Sequence, residues 1–124
     1  MALEGSRPTV LVVEDEVLIR MDIAACLADA GFETLQAGNA EEAIRILEER
    51  SDIQLVFTDI DMPGSMDGLR LAAFVRERWP PIKLIVTSGH IRAGDGDLPP
   101  GAHFFRKPYH RPDIVRTIGE MIRD

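Results

Sequence analysis

Two kinds of segment alternate along this chain, and the alternation limits its fold more than any other feature. Short apolar runs at residues 9–13 ("TVLVV"), 32–37 ("FETLQA"), 53–58 ("IQLVFT"), 82–88 ("IKLIVTS") and 102–106 ("AHFFR") read as strands. Valine-rich runs without polar interruption, such as the first, are the pattern of strands covered on both faces. The segments between them have helical spacing. Over residues 16–30, Val17, Leu18, Met21, Ala25 and Ala28 fall at steps of three and four, and Gly31 supplies a stop. A second helix opens at Gly38-Asn39, where Asn39 can cap and Glu42 takes the reciprocal position, with Ala40, Ala43, Ile44 and Leu47 as its inner stripe. Asp67 can cap a third, running to about Arg78 with Leu71, Phe74 and Val75 inward and ended by Trp79-Pro80-Pro81. Pro112 starts the last, which carries Ile114, Val115, Ile118, Met121 and Ile122.

Such alternation predicts an α/β domain: a parallel sheet between two helical layers, joined by right-handed crossovers. The rhythm breaks once. Residues 89–101 ("GHIRAGDGDLPPG") hold four glycines and little apolar periodicity, so a loop or one short turn is expected there.

At 124 residues the chain suits a single domain, with residues 1–8 as a flexible tail and residues 9–123 as the folded unit. A net charge of −7 argues against direct nucleic-acid contact or an anionic membrane as the main partner. No apolar run approaches the roughly 20 residues that span a bilayer, and residues 1–9 have no apolar signal core. The single cysteine, Cys26, forms no internal disulfide and reads as a reduced, buried thiol, which fits a cytoplasmic location.

The strands end in carboxylates. Glu14, Asp15 and Glu16 follow the first strand at once, and Asp59 and Asp61 follow the third. All strands of a parallel sheet point the same way, so Glu14, Asp15 and Asp59 converge at the carboxyl edge, where ligand sites of open α/β sheets lie. A lone Asp at a strand end usually caps a helix or faces water. Three together repel, by roughly 3 kcal/mol for a pair about 5 Å apart at an effective dielectric near 20, unless a cation compensates. A hard, oxygen-liganded ion fits, and Mg2+ leaves positions open for phosphate oxygens.

With those residues in view, "VLVVEDE", "VFTDIDMPGSMDG", "LIVTSGH" and "FFRKPY" resemble, in order and over residues 9–123, the four motifs of response regulator receiver domains of two-component signal transduction systems. The resemblance implies a five-stranded parallel sheet of order 2-1-3-4-5 in a flavodoxin-like three-layer sandwich. It implies that Asp59 is a phosphoacceptor taking a phosphoryl group from a phosphohistidine. Glu14, Asp15, Asp59 and the backbone carbonyl of Asp61 would hold Mg2+, and Lys107 would clamp the phosphoryl group. Thr87 and Phe104 would form the switch, and the Lys107–Pro108 bond would be cis. The implied partners are a sensor histidine kinase or histidine phosphotransfer protein and a downstream protein or fused effector. Catalysis would be limited to self-phosphorylation and self-dephosphorylation.

Three features depart from the motif pattern. Glu14 stands where Asp is common, and one extra residue separates Pro63 from Asp67. Residues 89–101 occupy the place of the family's fourth helix, which is expected to be short or replaced by loop, so a homodimer would use another surface. Two alternatives remain at this level. "DIDMP" is also similar to the start of haloacid dehalogenase phosphohydrolases, although Asp59 follows the third strand rather than the first. A receiver-like module that docks without carrying phosphate is the other.

Overall fold

The computed structural model describes residues 7–64, 66–89 and 98–123. Residues 1–6 of the expected tail and residues 90–97 of the Gly/Pro-rich stretch lie outside the described residues. The elements run β1 (Thr9–Val13), α1 (Val17–Asp29), β2 (Glu33–Ala37), α2 (Ala40–Glu49), β3 (Ile53–Asp59), α3 (Gly68–Arg78), β4 (Lys83–Ser88), β5 (His103–Arg106) and α4 (Arg111–Arg123). Among the described residues no helix lies between β4 and β5, so α4 is the terminal helix.

All five strands are parallel, in the order β2-β1-β3-β4-β5. The central strands are covered on both faces because their side chains alternate between two cores. Leu11, Val13, Val56, Leu84 and Val86 face α2 and α3, meeting Ala40, Ala43, Leu47, Leu71 and Val75. Val10, Val12, Leu55, Phe57 and Ile85 face the other way and meet Ile23 and Leu27 of α1 and Ile114 and Ile118 of α4. Each fully buried Leu, Ile or Val contributes about 1.5–3 kcal/mol of burial, which offsets the ordering of the chain. The outer strands β2 and β5 are only partly covered and carry Glu33, Gln36, His103 and Arg106, side chains that blunt a sheet edge.

The residues whose spacing marked α1 as a helix do not form its buried face. Val17, Leu18 and Met21 are 52%, 81% and 53% exposed, and Ala25 and Ala28 are exposed too. The buried face is Ile23, Ala24 and Leu27. This helix is apolar nearly all round, so its spacing admits two stripes, and α4 selects the second by packing on it. Cys26 of the same helix is half-buried.

The other helix signals hold, with one change of partner. Asn39 accepts the Glu42 N–H at 2.8 Å, while the Glu42 carboxylate reaches back to the Gly38 N–H at 2.8 Å rather than to Asn39 itself. Asp67 caps α3 by accepting from the Arg70 N–H at 2.9 Å. Gly31 closes α1 with φ +102°, a left-handed turn that suits glycine. Among the described residues no helix is long and apolar enough to cross a membrane.

Candidate functional site

The carboxyl edge of the sheet brings together residues that are far apart in the chain. Asp59 is the last residue of β3 and sits in register with Thr87 of β4. Both are buried. Glu14 and Asp15 follow β1, and one carboxylate oxygen each of Glu14, Asp15 and Asp59 lies within 4.8 Å of the others. Of the three, Glu14 and Asp59 are buried and Asp15 is half-buried, so little water separates the charges.

Lys107, just past β5, bridges two of the acids: its Nζ is 3.2 Å from Asp59 Oδ2 and 3.3 Å from Glu14 Oε1. Its backbone N–H donates to the Ser88 carbonyl at 2.9 Å, which fastens the lysine to the end of β4. The Lys107–Pro108 bond is cis, as expected. Glu14 is held further by the Glu16 N–H, which donates to Oε2 at 3.1 Å.

Two buried polar atoms at this rim have no hydrogen-bond partner among the described residues: Asp59 Oδ1 and Thr87 Oγ1. Buried polar groups are nearly always satisfied, so a pair of orphans on adjacent strands marks a place where something else binds. Hard carboxylate oxygens, two of them buried, together with orphaned oxygens fit Mg2+ and phosphoryl chemistry better than a soft metal.

Burial dominates the titration of the acids. It raises the Asp59 carboxyl above its ordinary value, and Lys107 offsets this only in part; the Asp61 charge adds to the rise. Glu14 is likewise raised by burial, against the Glu16 N–H and Lys107. For Lys107 burial disfavours the ammonium, but the charges of Asp59 and Glu14 and their hydrogen bonds prevail, and its pKa ends above the usual lysine value. The site therefore favours a cationic lysine and resists three full carboxylate charges.

Asp61 is exposed, and Ser88 Oγ donates to its Oδ2 at 2.8 Å. The three-acid group does not extend to its carboxylate. Phe104 is half-buried on β5 in register with Val86, packed against the core under α2 and α3. Three further residues at the site escaped the sequence reading. Arg20 of α1 donates to the Glu14 carbonyl at 2.9 Å and to Gln36 at 3.1 Å, so it secures the loop that carries the first acids. Gly68, the first residue of α3, packs on the Asp59 carbonyl. Ser88 is the third. Gly68 and Ser88 stand inside two of the four motifs and had a visible signal; Arg20 had none.

Beside Lys107 opens a shallow cleft of about 610 Å³, lined by Leu18, Ile19, Asp22, Pro108, Tyr109 and Arg111. A slightly larger hollow of about 670 Å³ lies at the opposite edge, around Arg50, Trp79 and Lys83, away from the acids. The three acids and Lys107 stand at the rim beside the smaller cleft, not at the larger hollow.

A doubly wound parallel sheet with a lysine bridging buried acids at its carboxyl edge is the architecture of a receiver-type signalling domain. The chain belongs to the response regulator receiver domain family, whose profile matches residues 10–118. It is 37% identical over 110 residues to an NtrX-like response regulator of Rickettsia bellii, covering 86% of this chain and 23% of that protein. To the response regulator receiver protein CpdR of Brucella abortus it is 32% identical over 116 residues, covering 91% of this chain and 95% of the other. The chain thus spans about a quarter of the NtrX-like regulators and nearly all of CpdR.

Solved structures agree. A response regulator receiver protein from Sinorhizobium medicae matches with a TM-score of 0.88 and 26% identity over 98% of each chain. The response regulator TrrA from Thermotoga maritima, solved in complex with Mg(2+)-BeF, matches with a TM-score of 0.80 and 26% identity over 92% of this chain and 98% of that one. The chain is accordingly a response regulator receiver domain, with the expected sheet order.

Proposed function

We propose that this domain accepts a phosphoryl group on Asp59 from a phosphohistidine, in a Mg2+-dependent reaction that switches a protein-interaction surface. The observation that carries the reading is Asp59 itself: buried, within 4.8 Å of two further carboxylates, bridged to Lys107 on one oxygen and orphaned on the other. Residues 9–123 act as one receiver unit.

Asp59 Oδ1 is the nucleophile. Its lone pair forms the new O–P bond as the P–N bond of the phosphohistidine breaks, and the electron pair leaves with the imidazole nitrogen. Lys107 keeps its ammonium on the Asp59 side of the site and faces the charge that builds on the phosphoryl oxygens. Thr87 then donates its hydroxyl, unpartnered before the reaction, to one of those oxygens, and Phe104 follows the shift of β4. Glu14, Asp15, Asp59 and the Asp61 carbonyl would hold Mg2+, which supplies positive charge to phosphoryl oxygens when bound. The structurally similar TrrA was solved in complex with Mg(2+)-BeF, which supports Mg2+ as the ion.

The donor is a sensor histidine kinase or a histidine phosphotransfer protein. Leu18 lines the cleft next to Lys107, with Val17 and Met21 exposed on the same helix, an apolar rim suited to a docking helix. Downstream the domain addresses a separate protein or a fused effector, and a cytoplasmic location suits both partners. Its only turnover is gain and loss of its own phosphoryl group.

Incubating the protein with Mg2+ and acetyl phosphate, then measuring intact mass, tests the reading. One acid-labile phosphoryl group is expected on the wild type and none on Asp59→Asn. Modification that survives in Asp59→Asn, or steady hydrolysis of a phosphate ester, would overturn it.

A further inference from the structure

We infer that Ser88 is a positioning residue that withholds the Asp61 carboxylate from the cation site, keeping coordination positions open for phosphoryl oxygens. The inference rests on the Mg2+ phosphoacceptor reading above. Ser88 is fully buried at the end of β4, directly after Thr87. Its hydroxyl donates to Asp61 Oδ2 at 2.8 Å, and its carbonyl accepts the Lys107 N–H at 2.9 Å. One residue thus joins the strand that bears Thr87, the segment that bears Lys107 and the loop after Asp59.

Asp61 is close enough to matter. Its backbone N–H favours the Asp59 carboxylate and its side-chain charge opposes it, so the side chain stands within electrostatic reach of the acids. Yet its carboxylate stays outside the group formed by Glu14, Asp15 and Asp59. An exposed aspartate on a loop next to three carboxylates would turn toward a dication as soon as one arrived. The hydrogen bond from a buried hydroxyl opposes that turn.

The consequence follows from the coordination habits of the ion. Mg2+ is a small octahedral cation that is normally bound by one or two carboxylates and several waters, with substrate phosphate taking the remaining positions. A further carboxylate would occupy one of those positions and place negative charge against the incoming group. Ser88 therefore trades affinity for the ion against openness to the phosphoryl group.

Calorimetric titration of MgCl2 into the wild type, Ser88→Ala, Asp61→Asn and the double variant tests this. Ser88→Ala removes one buried oxygen, and its melting temperature, measured alongside, shows that the variant is folded when its Mg2+ binding is read. Ser88→Ala is expected to bind Mg2+ about 3–10-fold more tightly, since added carboxylate ligands raise affinity for hard dications. Its phosphorylation by acetyl phosphate at saturating Mg2+ should slow. The double variant should match Asp61→Asn, because without the carboxylate there is nothing to release. Equal or weaker binding by Ser88→Ala, or a gain that persists in the double variant, would overturn the role of Ser88. A wild type that binds no Mg2+ would instead remove the metal reading on which it rests.

Discussion

Gly68 packs directly on the backbone carbonyl of Asp59, so closely that a methyl group at Gly68 would overlap it and also crowd Ile60 Cα at 2.7 Å. The Gly68 N–H donates to the Ile60 carbonyl at 3.0 Å, which locks the start of α3 onto the end of β3. Helix propensity alone favours alanine over glycine by about 1 kcal/mol in a helix interior. Here the clash is with backbone, which cannot rotate away, and overpacking of that kind costs about 1–3 kcal/mol. Gly68→Ala should therefore lose about 1–3 kcal/mol in urea unfolding and slow phosphorylation of Asp59. A variant as stable and as readily phosphorylated as the wild type would show that α3 can slide along the sheet.

Lys107 bridges Asp59 and Glu14, so it is expected both to stabilise the metal-free site and to compete with a cation for it. Removing it leaves Asp59 and Glu14 facing each other across a buried rim without the ammonium that bridges them. Breaking a fully buried pair costs about 3–5 kcal/mol. Because 24% of the Lys107 side chain is still exposed, about 1–3 kcal/mol is the expected loss for Lys107→Ala without metal. Magnesium affinity should rise, since the same carboxylates are no longer shared, while acetyl phosphate labelling falls. Titration calorimetry and intact-mass kinetics separate the two effects, and a variant with weaker Mg2+ binding would contradict the competition.

The pH dependence follows from burial at the same acids. Asp59 and Glu14 titrate above their ordinary values because burial disfavours their charged forms. Between the ordinary value and the raised one the folded chain binds more protons than the unfolded chain, so stability falls as pH rises through that interval. Lys107, raised by those acids against its own burial, contributes stability fully below the usual lysine value and does not change in this window. Asp52 and Asp113, lowered by hydrogen bonds from Arg50 and Arg116, lose their contribution only at more acidic pH. Metal-free protein should thus melt at a falling temperature as pH rises through the interval above the ordinary carboxylate values. Saturating Mg2+ should raise the melting temperature less at the lower end of that interval, because protons compete for the same oxygens. Melting curves with and without the ion check both signs; a metal-free melting temperature that climbs with pH through that interval would be inconsistent with burial as the governing effect.

Much of this site was legible because strand ends are fixed by alternation. Once residues 53–58 read as a strand in a parallel sheet, Asp59 had to emerge at the same edge as Glu14 and Asp15. The face of α1 was not legible in the same way. Val17, Leu18 and Met21 compete with Ile23 and Leu27 for the buried side, and only the packing of Ile114 and Ile118 from α4 decides between them. The contacts of Ser88 and Arg20 were silent for a related reason. The Ser88 partner lies 27 residues away and that of Lys107 on Glu14 lies 93 away; both residues stood in motifs, but the resemblance gave a role only to the lysine. Contacts of this kind are set by tertiary geometry and leave no periodic trace.

Thr87 offers the cleanest separation of stability from switching. Its hydroxyl is buried and has no partner among the described residues, so in the unphosphorylated state it is an unpaid desolvation cost of about 1–3 kcal/mol. Valine has nearly the same shape and no hydroxyl. Thr87→Val should therefore leave the unphosphorylated fold equally stable or stabilise it by about 1 kcal/mol, against the usual trend for a buried substitution. Phosphorylation should still occur, since Asp59 and Lys107 are untouched, but the product should lack the donor that draws β4 toward the phosphoryl oxygens. Amide shifts induced by beryllofluoride and Mg2+ along residues 83–88 and 103–106 should be large in the wild type and much reduced in Thr87→Val. Full-sized shifts in the variant would assign the motion to some other donor, and a marked loss of stability would mean that the hydroxyl is satisfied before phosphorylation.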